Sequence, residues 1–315
     1  MRLSDFITRF EKLNPNRQSG QPSPHKMVML LTIMQLFEQG RMKVNRIKFD
    51  QDLLDIYAAF FKVVAGAGDH KNAYFPFFHL QERKENRFWH LRPKEGREAI
   101  LEAMPTARSY GAIKDNINHV ELDADLFRLL MNPESRQALR DSLVDFWFPG
   151  HRGDLQQVVV DEREIEDYRQ CIDGLTQDGN QSGPPPVVRE EVRSTAFKRS
   201  VLEAYDYRCA ITGWRIRLPD GTAMTEAAHL IPWSENHDDD PRNGMALTPT
   251  FHWAMDRHLI APGPDLKWHV SRSFHRRNRD EAELMEYDDK EILLPARSRL
   301  QPKREALEWR MKRLI

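Results

Sequence analysis

The stretch 226–258, EAAHLIPWSENHDDDPRNGMALTPTFHWAMDRH, restricts this chain more than any other part of it. It holds His229, Asn243 and His252 in that order. Between the first two lie Pro232 and the acidic-polar run 235–240, which reads as a loop. Residues 225–230 and 244–248 on either side are short and read as strands. Thr248 and Pro249 then announce a helix, with a hydroxyl residue at the N-cap and proline at the first helical position. Phe251, Met255 and Leu259 follow four apart and give that helix a buried face. His252 and Asp256 are also four apart, so both project from another face of it. The local unit is strand, loop, strand, helix, with a histidine leaving the first strand.

This pattern resembles the HNH nuclease motif, the ββα-metal fold, in the AAHI variant found in modification-dependent restriction endonucleases. The resemblance implies a role for each residue. His229, in AHLIP, matches the first histidine of the family, the general base that deprotonates the attacking water. Asn243, in PRNGMAL, matches the asparagine that ties the loop in place. His252, in TPTFHWAMD, matches the last histidine, a metal ligand. Many HNH enzymes carry an aspartate directly before the first histidine as a second ligand, and here that position is Ala228. Asp256 is the first choice for the missing carboxylate and Glu226 the second.

Those residue types suit the chemistry. Phosphodiester hydrolysis needs an activated water and a cation to stabilise the charge that develops on the phosphate. Neutral imidazole takes a proton readily near pH 7. A hard cation such as Mg²⁺ or Mn²⁺ prefers carboxylate, water and phosphate oxygens and accepts few protein ligands. Scattered structural histidines would explain any one of these residues, but not the ordered set with AHLIP and NG in place.

At 315 residues the chain is long enough for two domains with separate cores. Charged residues make up 30% and hydrophobic ones 40%. The longest apolar run, 27–37, is broken by Thr32 and Gln35 and is too short to span a bilayer. The opening MRLSDFITRFEKL has no signal-peptide core, so a cytoplasmic location is expected. Net charge is −1, which excludes a global basic field. The stretch 267–279 nevertheless gathers Lys267, Arg272, Arg276, Arg277 and Arg279, and 297–313 is similarly basic. Such runs are usually solvated faces, but beside a nuclease motif they suit DNA phosphates. Only Cys171 and Cys209 exist, so no disulfide framework and no structural zinc are expected. Many HNH domains have two Cys-x-x-Cys pairs, whereas CAIT here has Thr212 in the second place.

The first 175 residues read as a separate domain. Residues 3–13 have helical spacing, and Ser23 with Pro24 opens a second helix as N-cap and first position. The segment 49–64 is helical by its apolar intervals. Residues 73–80 and 88–91 are aromatic-rich and short, which predicts strands joined by the charged turn 82–86. Helices are expected at 123–131 and 134–148. The run 176–188, TQDGNQSGPPPVV, marks an inter-domain linker.

Three segments, SPHKMVMLLTIM, YFPFFHLQERKENRFWHL and RSYGAIKDNINHVELDADLFRLL, resemble a second family. This is the sulfur-binding domain of phosphorothioate-dependent, type IV restriction endonucleases, which recognises DNA with a backbone phosphate oxygen replaced by sulfur. The likeness implies a sulfur pocket built from His25, Lys26, Tyr74, Phe75 and Pro76, closed by the loop Arg108, Ser109, Tyr110 and Gly111. The residues give independent support. Cations in the first turn of a helix oppose its dipole at about 0.3–1 kcal/mol each. His25 and Lys26 stand there, as they would if a phosphate bound the same helix end. Sulfur is less well hydrated than oxygen, so apolar walls such as Phe75 and Pro76 penalise it less.

The expected architecture is α+β: a mainly helical DNA-reading domain with a small β element at 1–175, a linker at 176–190, a ββα-metal HNH domain at 191–275 and a basic tail at 276–315. The expected partner is double-stranded DNA carrying phosphorothioate, with no membrane involved. A double-strand break needs two active sites or two visits, so a homodimer is one route to it. Two alternatives stay open. The N-terminal domain could read methylated bases or sequence instead, or the protein could bind modified DNA without cleaving it.

Overall fold

The computed structural model describes residues 1–15, 17–18, 21–81, 88–174, 187–218, 220, 222–274 and 279–315. The charged turn 82–86, most of the expected linker, and Arg276 and Arg277 lie outside the described residues. The chain forms two compact units, one built on Met1–Arg163 and the other on Glu164–Leu218 and Ala223–Ile315. Both are α+β, with helices and two-stranded antiparallel sheets among the described residues.

The first unit opens with α1 (Leu3–Glu11) and a minimal hairpin, β1 (Arg17–Gln18) with β2 (Gln21–Pro22). It is organised around α2 (His25–Glu38), in which every residue from Met27 to Phe37 is buried. A helix apolar on all sides belongs at the centre of a core. Of the two polar side chains in that run, Thr32 Oγ1 donates to Val28 O at 2.8 Å and Gln35 Nε2 to Val159 O at 3.4 Å, while Gln35 Oε1 is buried without a partner. The start of α2 differs from the expected cap. Ser23 makes no capping bond to the helix backbone; its Oγ lies 2.6 Å from His25 Nδ1, and Pro24 occupies the N-cap. Helix α3 (Gln51–Val64) is capped by Asp50, which accepts from Leu53 N at 3.1 Å, and buries the apolar face its spacing predicts.

The expected strand at 73–80 is a helix, α4 (Tyr74–His79). Aromatic residues favour strands only where a sheet neighbour is available. Here Pro76, in the first turn, needs no hydrogen-bond partner for its nitrogen, and Phe77 and Phe78 point into the core. Trp89 Nε1 donates to Phe77 O at 2.9 Å and fixes the short helix. Strand β3 (Trp89–Pro93) therefore pairs elsewhere. Helices α5 (Glu98–Ala103) and α6 (Tyr110–Asn116) intervene before β4 (Ile117–Leu122), its antiparallel partner with Trp89 opposite Leu122. Helices α7 (Ala124–Met131) and α8 (Pro133–Trp147) follow as the sequence predicts. Asn132 caps α8 by accepting from Ser135 N at 2.8 Å, with Pro133 at its first position. Helix α9 (Arg152–Gly174) comes next.

In the second unit, α10 (Glu190–Ala204) packs on the sheet formed by β5 (Glu226–His229) and β6 (Gly244–Leu247). The antiparallel register sets His229 opposite Gly244 and Glu226 opposite Leu247. Gly244 is required by this packing: a Cβ there would meet Val201 Cγ2 at 2.4 Å and Phe197 Cζ at 2.8 Å. The intervening loop holds one helical turn, α11 (Trp233–Asn236), and a 3₁₀ turn at Pro241–Asn243. Helix α12 (Pro249–Asp256) starts with Pro249 at its first position, though Thr248 makes no side-chain cap bond. It stops at Asp256 because His258 turns left-handed (φ 57°), and Leu259, expected on its apolar face, reaches the core from beyond the helix.

A hairpin of β7 (Ile260–Pro262) and β8 (Trp268–Val270), then α13 (Arg279–Met285) and α14 (Arg304–Met311), complete the unit. Ala306 and Leu307, in the segment expected as a basic tail, are buried in the same core as Phe197, Cys209 and Met245. Cys209 is fully buried, with Thr248 N donating to its sulfur at 3.4 Å. No helix among the described residues is long and apolar enough to cross a membrane.

Candidate functional site

His229 ends β5 with its ring stacked on Phe197, centroids 3.8 Å apart and planes 6° from parallel. Its Nε2 lies 3.0 Å from Asp239 Oδ1. Asp239 is buried and accepts from Arg193 Nη1 at 2.9 and 3.0 Å and from Tyr168 OH at 3.0 Å. Burial, and then the Asp239 charge, push the Tyr168 phenol well above its ordinary pKa, so it stays a donor. Arg193 in turn lies over the Trp233 ring, 3.9 Å from its centroid. The main-chain oxygen of His229 accepts from Arg310 Nη2 at 2.7 Å.

Asn243 is buried, and its carboxamide closes the loop from inside. Oδ1 accepts from Ile231 N at 2.9 Å, while Nδ2 donates to Ile231 O at 3.0 Å and Asp238 O at 2.9 Å. Next to it, burial alone would raise the Asp240 carboxyl, but bonds from Arg242 and Lys303 win and hold it below its ordinary value.

His252 closes the first turn of α12, flanked by both expected carboxylates. Its Nδ1 is 2.8 Å from Glu226 Oε2 and its Nε2 is 3.3 Å from Asp256 Oδ2. Asp256 also pairs with the buried Arg310, whose Nη2 stands 3.2 Å from Oδ1 and whose Nη1 donates to Met255 O at 3.1 Å. Among the described residues no group of three or more His, Cys, Asp or Glu side chains is placed to hold a metal ion by itself. The donors present suit an open site for a hard cation: one imidazole nitrogen with one carboxylate, the other positions left to water and phosphate. His252, Glu226 and Asp256 are all partly exposed, as such a site requires.

In the first unit, a cavity of about 620 Å³ is lined by His25, Lys26, Phe75 and Pro76, four of the residues expected in the sulfur pocket. Tyr74 packs against the core cluster, and neither it nor Arg108, Ser109, Tyr110 or Gly111 lines this cavity. Ser109 instead caps α6, accepting from Ala112 N at 3.1 Å, and Tyr110 lies against Phe49 with centroids 5.4 Å apart. Asn14, Pro15, Ser23, His70, Asn72 and His79 complete the lining and were not foreseen. His79 could have been found from Phe75, four residues before it, had the segment been read as a helix. His25 is already engaged, Nδ1 by Ser23 and Nε2 at 2.7 Å from His70 O, with its ring edge-on to Phe61. Burial lowers the pKa of both His25 and His79, with Lys26 adding to the effect at His79.

Each unit thus carries one of the two candidate sites, the cavity on the first and the His229, Asn243 and His252 group on the second. Two family models match, one on each unit. Residues 3–160 match the ScoMcrA-like DNA sulfur-binding domain, half of the chain, and the protein belongs to that family. Residues 209–261 match the HNH endonuclease family. Among curated proteins nothing matches. One similar solved structure is a modification-dependent TagI restriction endonuclease, 22% identical, with a TM-score of 0.30. The match covers 41% of this chain and 40% of that one, so this chain spans about two-fifths of its length.

Proposed function

We propose that this protein is a metal-dependent endonuclease that binds phosphorothioated double-stranded DNA through the cavity of its first unit and hydrolyses phosphodiester bonds with its second, restricting foreign DNA. The observation that carries the reading is the meeting of His229, Asn243 and His252 on one strand–loop–strand–helix unit in a chain whose other half is a DNA sulfur-binding domain.

His229 acts as general base, taking a proton from the attacking water on the ring nitrogen not held by Asp239. Asn243 keeps the loop closed so that the base stays in register with the strand. His252 and one carboxylate would hold Mg²⁺ or Mn²⁺, which when bound would supply stabilisation of charge on the phosphate. Glu226 ranks ahead of Asp256 for that carboxylate, reversing the order expected from the sequence. Asp256 already pairs with Arg310, and a cation at 3.2 Å weakens it as a ligand for a second cation. In the first unit, Lys26 meets the phosphate charge while Phe75 and Pro76 face the poorly hydrated sulfur.

The test is cleavage of matched duplexes, with and without phosphorothioate, in Mg²⁺, Mn²⁺ or EDTA. Cutting of the modified duplex alone, and only with metal, is expected. Equal cutting of both duplexes would refute the sulfur reading, and no cutting with either metal would refute the nuclease.

A further inference from the structure

Asp239 belongs to no position of the His–Asn–His pattern, yet its surroundings are the most constrained in the nuclease unit. Its side chain is fully buried, and every group the structure sets against it is a donor: Arg193, Tyr168 OH and His229 Nε2. Arginine has no acceptor, and Tyr168 is kept protonated by its burial. A carboxylate paired with Arg193 can only accept, so the His229 nitrogen facing it must carry the proton. The ring lies flat on Phe197, which fixes its plane, and the strand end that carries it is held through its main-chain oxygen by Arg310.

We infer that Asp239 is a positioning residue for the nuclease reaction: it fixes His229 in the Nε2–H tautomer and so leaves the lone pair on Nδ1, ready for the proton of the attacking water. The inference rests on the reading of His229 as the base. A ring nitrogen acts as base only when the other one holds the proton, and a buried carboxylate behind the imidazole imposes that choice. Arg193 and Tyr168 act one step further back, fixing the two carboxylate oxygens so that one edge faces the ring.

The test uses the full chain and the variant Asp239→Asn, whose amide has nearly the same shape but accepts a proton arrangement of either sense. On phosphorothioate duplex with Mn²⁺, kcat should fall at least roughly 100-fold, toward the loss of about 10⁴-fold that follows when a histidine base rests in the wrong tautomer. KM should stay within about twofold, since the buried Asp239 side chain offers no surface for DNA to touch. A second readout needs no cleavage and no metal. Long-range proton–nitrogen spectra of ¹⁵N-histidine-labelled protein, with the His229 signals assigned by their loss in His229→Ala, should give Nε2–H in the wild type and a mixture with Nδ1–H in Asp239→Asn. Wild-type kcat in the variant overturns the inference, as does a fall in kcat with the tautomer unchanged. If Asp239→Asn does not fold, the wild-type spectrum decides alone, and Nδ1–H there overturns it. A wild-type protein that cuts no DNA would instead remove the nuclease reading, leaving the tautomer to be read separately.

Discussion

The two sites are built on opposite plans. In the nuclease unit, each functional side chain already has a partner from the protein: Asp239 for His229, three backbone groups for Asn243, two carboxylates for His252. In the first unit, the cavity is open space with a lysine and an aromatic–proline wall at its edge. Chemistry on a phosphodiester demands angles and distances fixed in advance, because each ångström of misplacement raises the barrier. Recognition of one sulfur atom demands a shape and a weakly hydrating wall, here Phe75 and Pro76 beside a histidine held by Ser23 and His70.

The sharpest way to break this contrast is to remove a side chain from the fixed site. His229→Ala and His252→Ala should each cut the cleavage rate by about 100- to 10,000-fold, while affinity for phosphorothioate duplex in EDTA stays as in the wild type. Full activity in either variant would break the assignment. A smaller effect separates the carboxylates. Glu226→Gln should lower cleavage roughly tenfold or more and be partly recovered at higher Mn²⁺, with weaker Mn²⁺ binding by calorimetry. Asp256→Asn should lose less, and the reverse order would restore Asp256 as the ligand.

The open site should respond on a gentler scale. Pro76→Ala should erase most of the preference for sulfur, a difference of about 1–3 kcal/mol, and leave salt-sensitive binding behind. Lys26→Ala should weaken modified and unmodified duplexes alike and flatten the salt dependence. Fluorescence anisotropy at several salt concentrations distinguishes the two, and a sulfur preference untouched by Pro76→Ala would move the pocket elsewhere. The smallest effect is on pH. Burial holds His25 and His79 below the ordinary value of 6.5, so both are neutral from pH 8 to 7 and affinity should be flat there. Below that value protonation adds positive charge beside the phosphate, and a bound anion favours the protonated form. Affinity in EDTA should therefore rise a few-fold, on the order of three to ten, only at pH below the range where an ordinary histidine titrates. A flat profile below that range would separate the two histidines from the anion.

How much was legible follows the same division. The nuclease pattern is local: His229, Asn243 and His252 sit on adjacent elements, so order and spacing along the chain carried the geometry. Its supports were not legible. Asp239 is the middle one of three consecutive aspartates, and nothing in the sequence says which of them faces His229. Tyr168, Arg193 and Arg310 come from helices far along the chain in both directions. In the first unit, α2 was legible because a long apolar run with only Thr32 and Gln35 in it leaves few alternatives, whereas α4 was misread because its aromatics fit a strand equally well until the core is assembled. Tyr74 and residues 108–111 were assigned to the pocket by likeness alone, and Ser109 serves as a helix cap instead. His70 and Asn72 stand in a connection with no local signal.

Arg310 has a consequence for anyone who would treat the nuclease as a portable module. Its guanidinium bridges His229 O, Met255 O and Asp256, so strand and helix of the motif are clipped together by a residue outside the matched segment 209–261. Phe197, Arg193 and Tyr168 brace it from the other side. A fusion protein given only the recognisable segment would inherit the histidines without their clamps. A donor fragment for such grafting must begin before Tyr168 and end beyond Arg310.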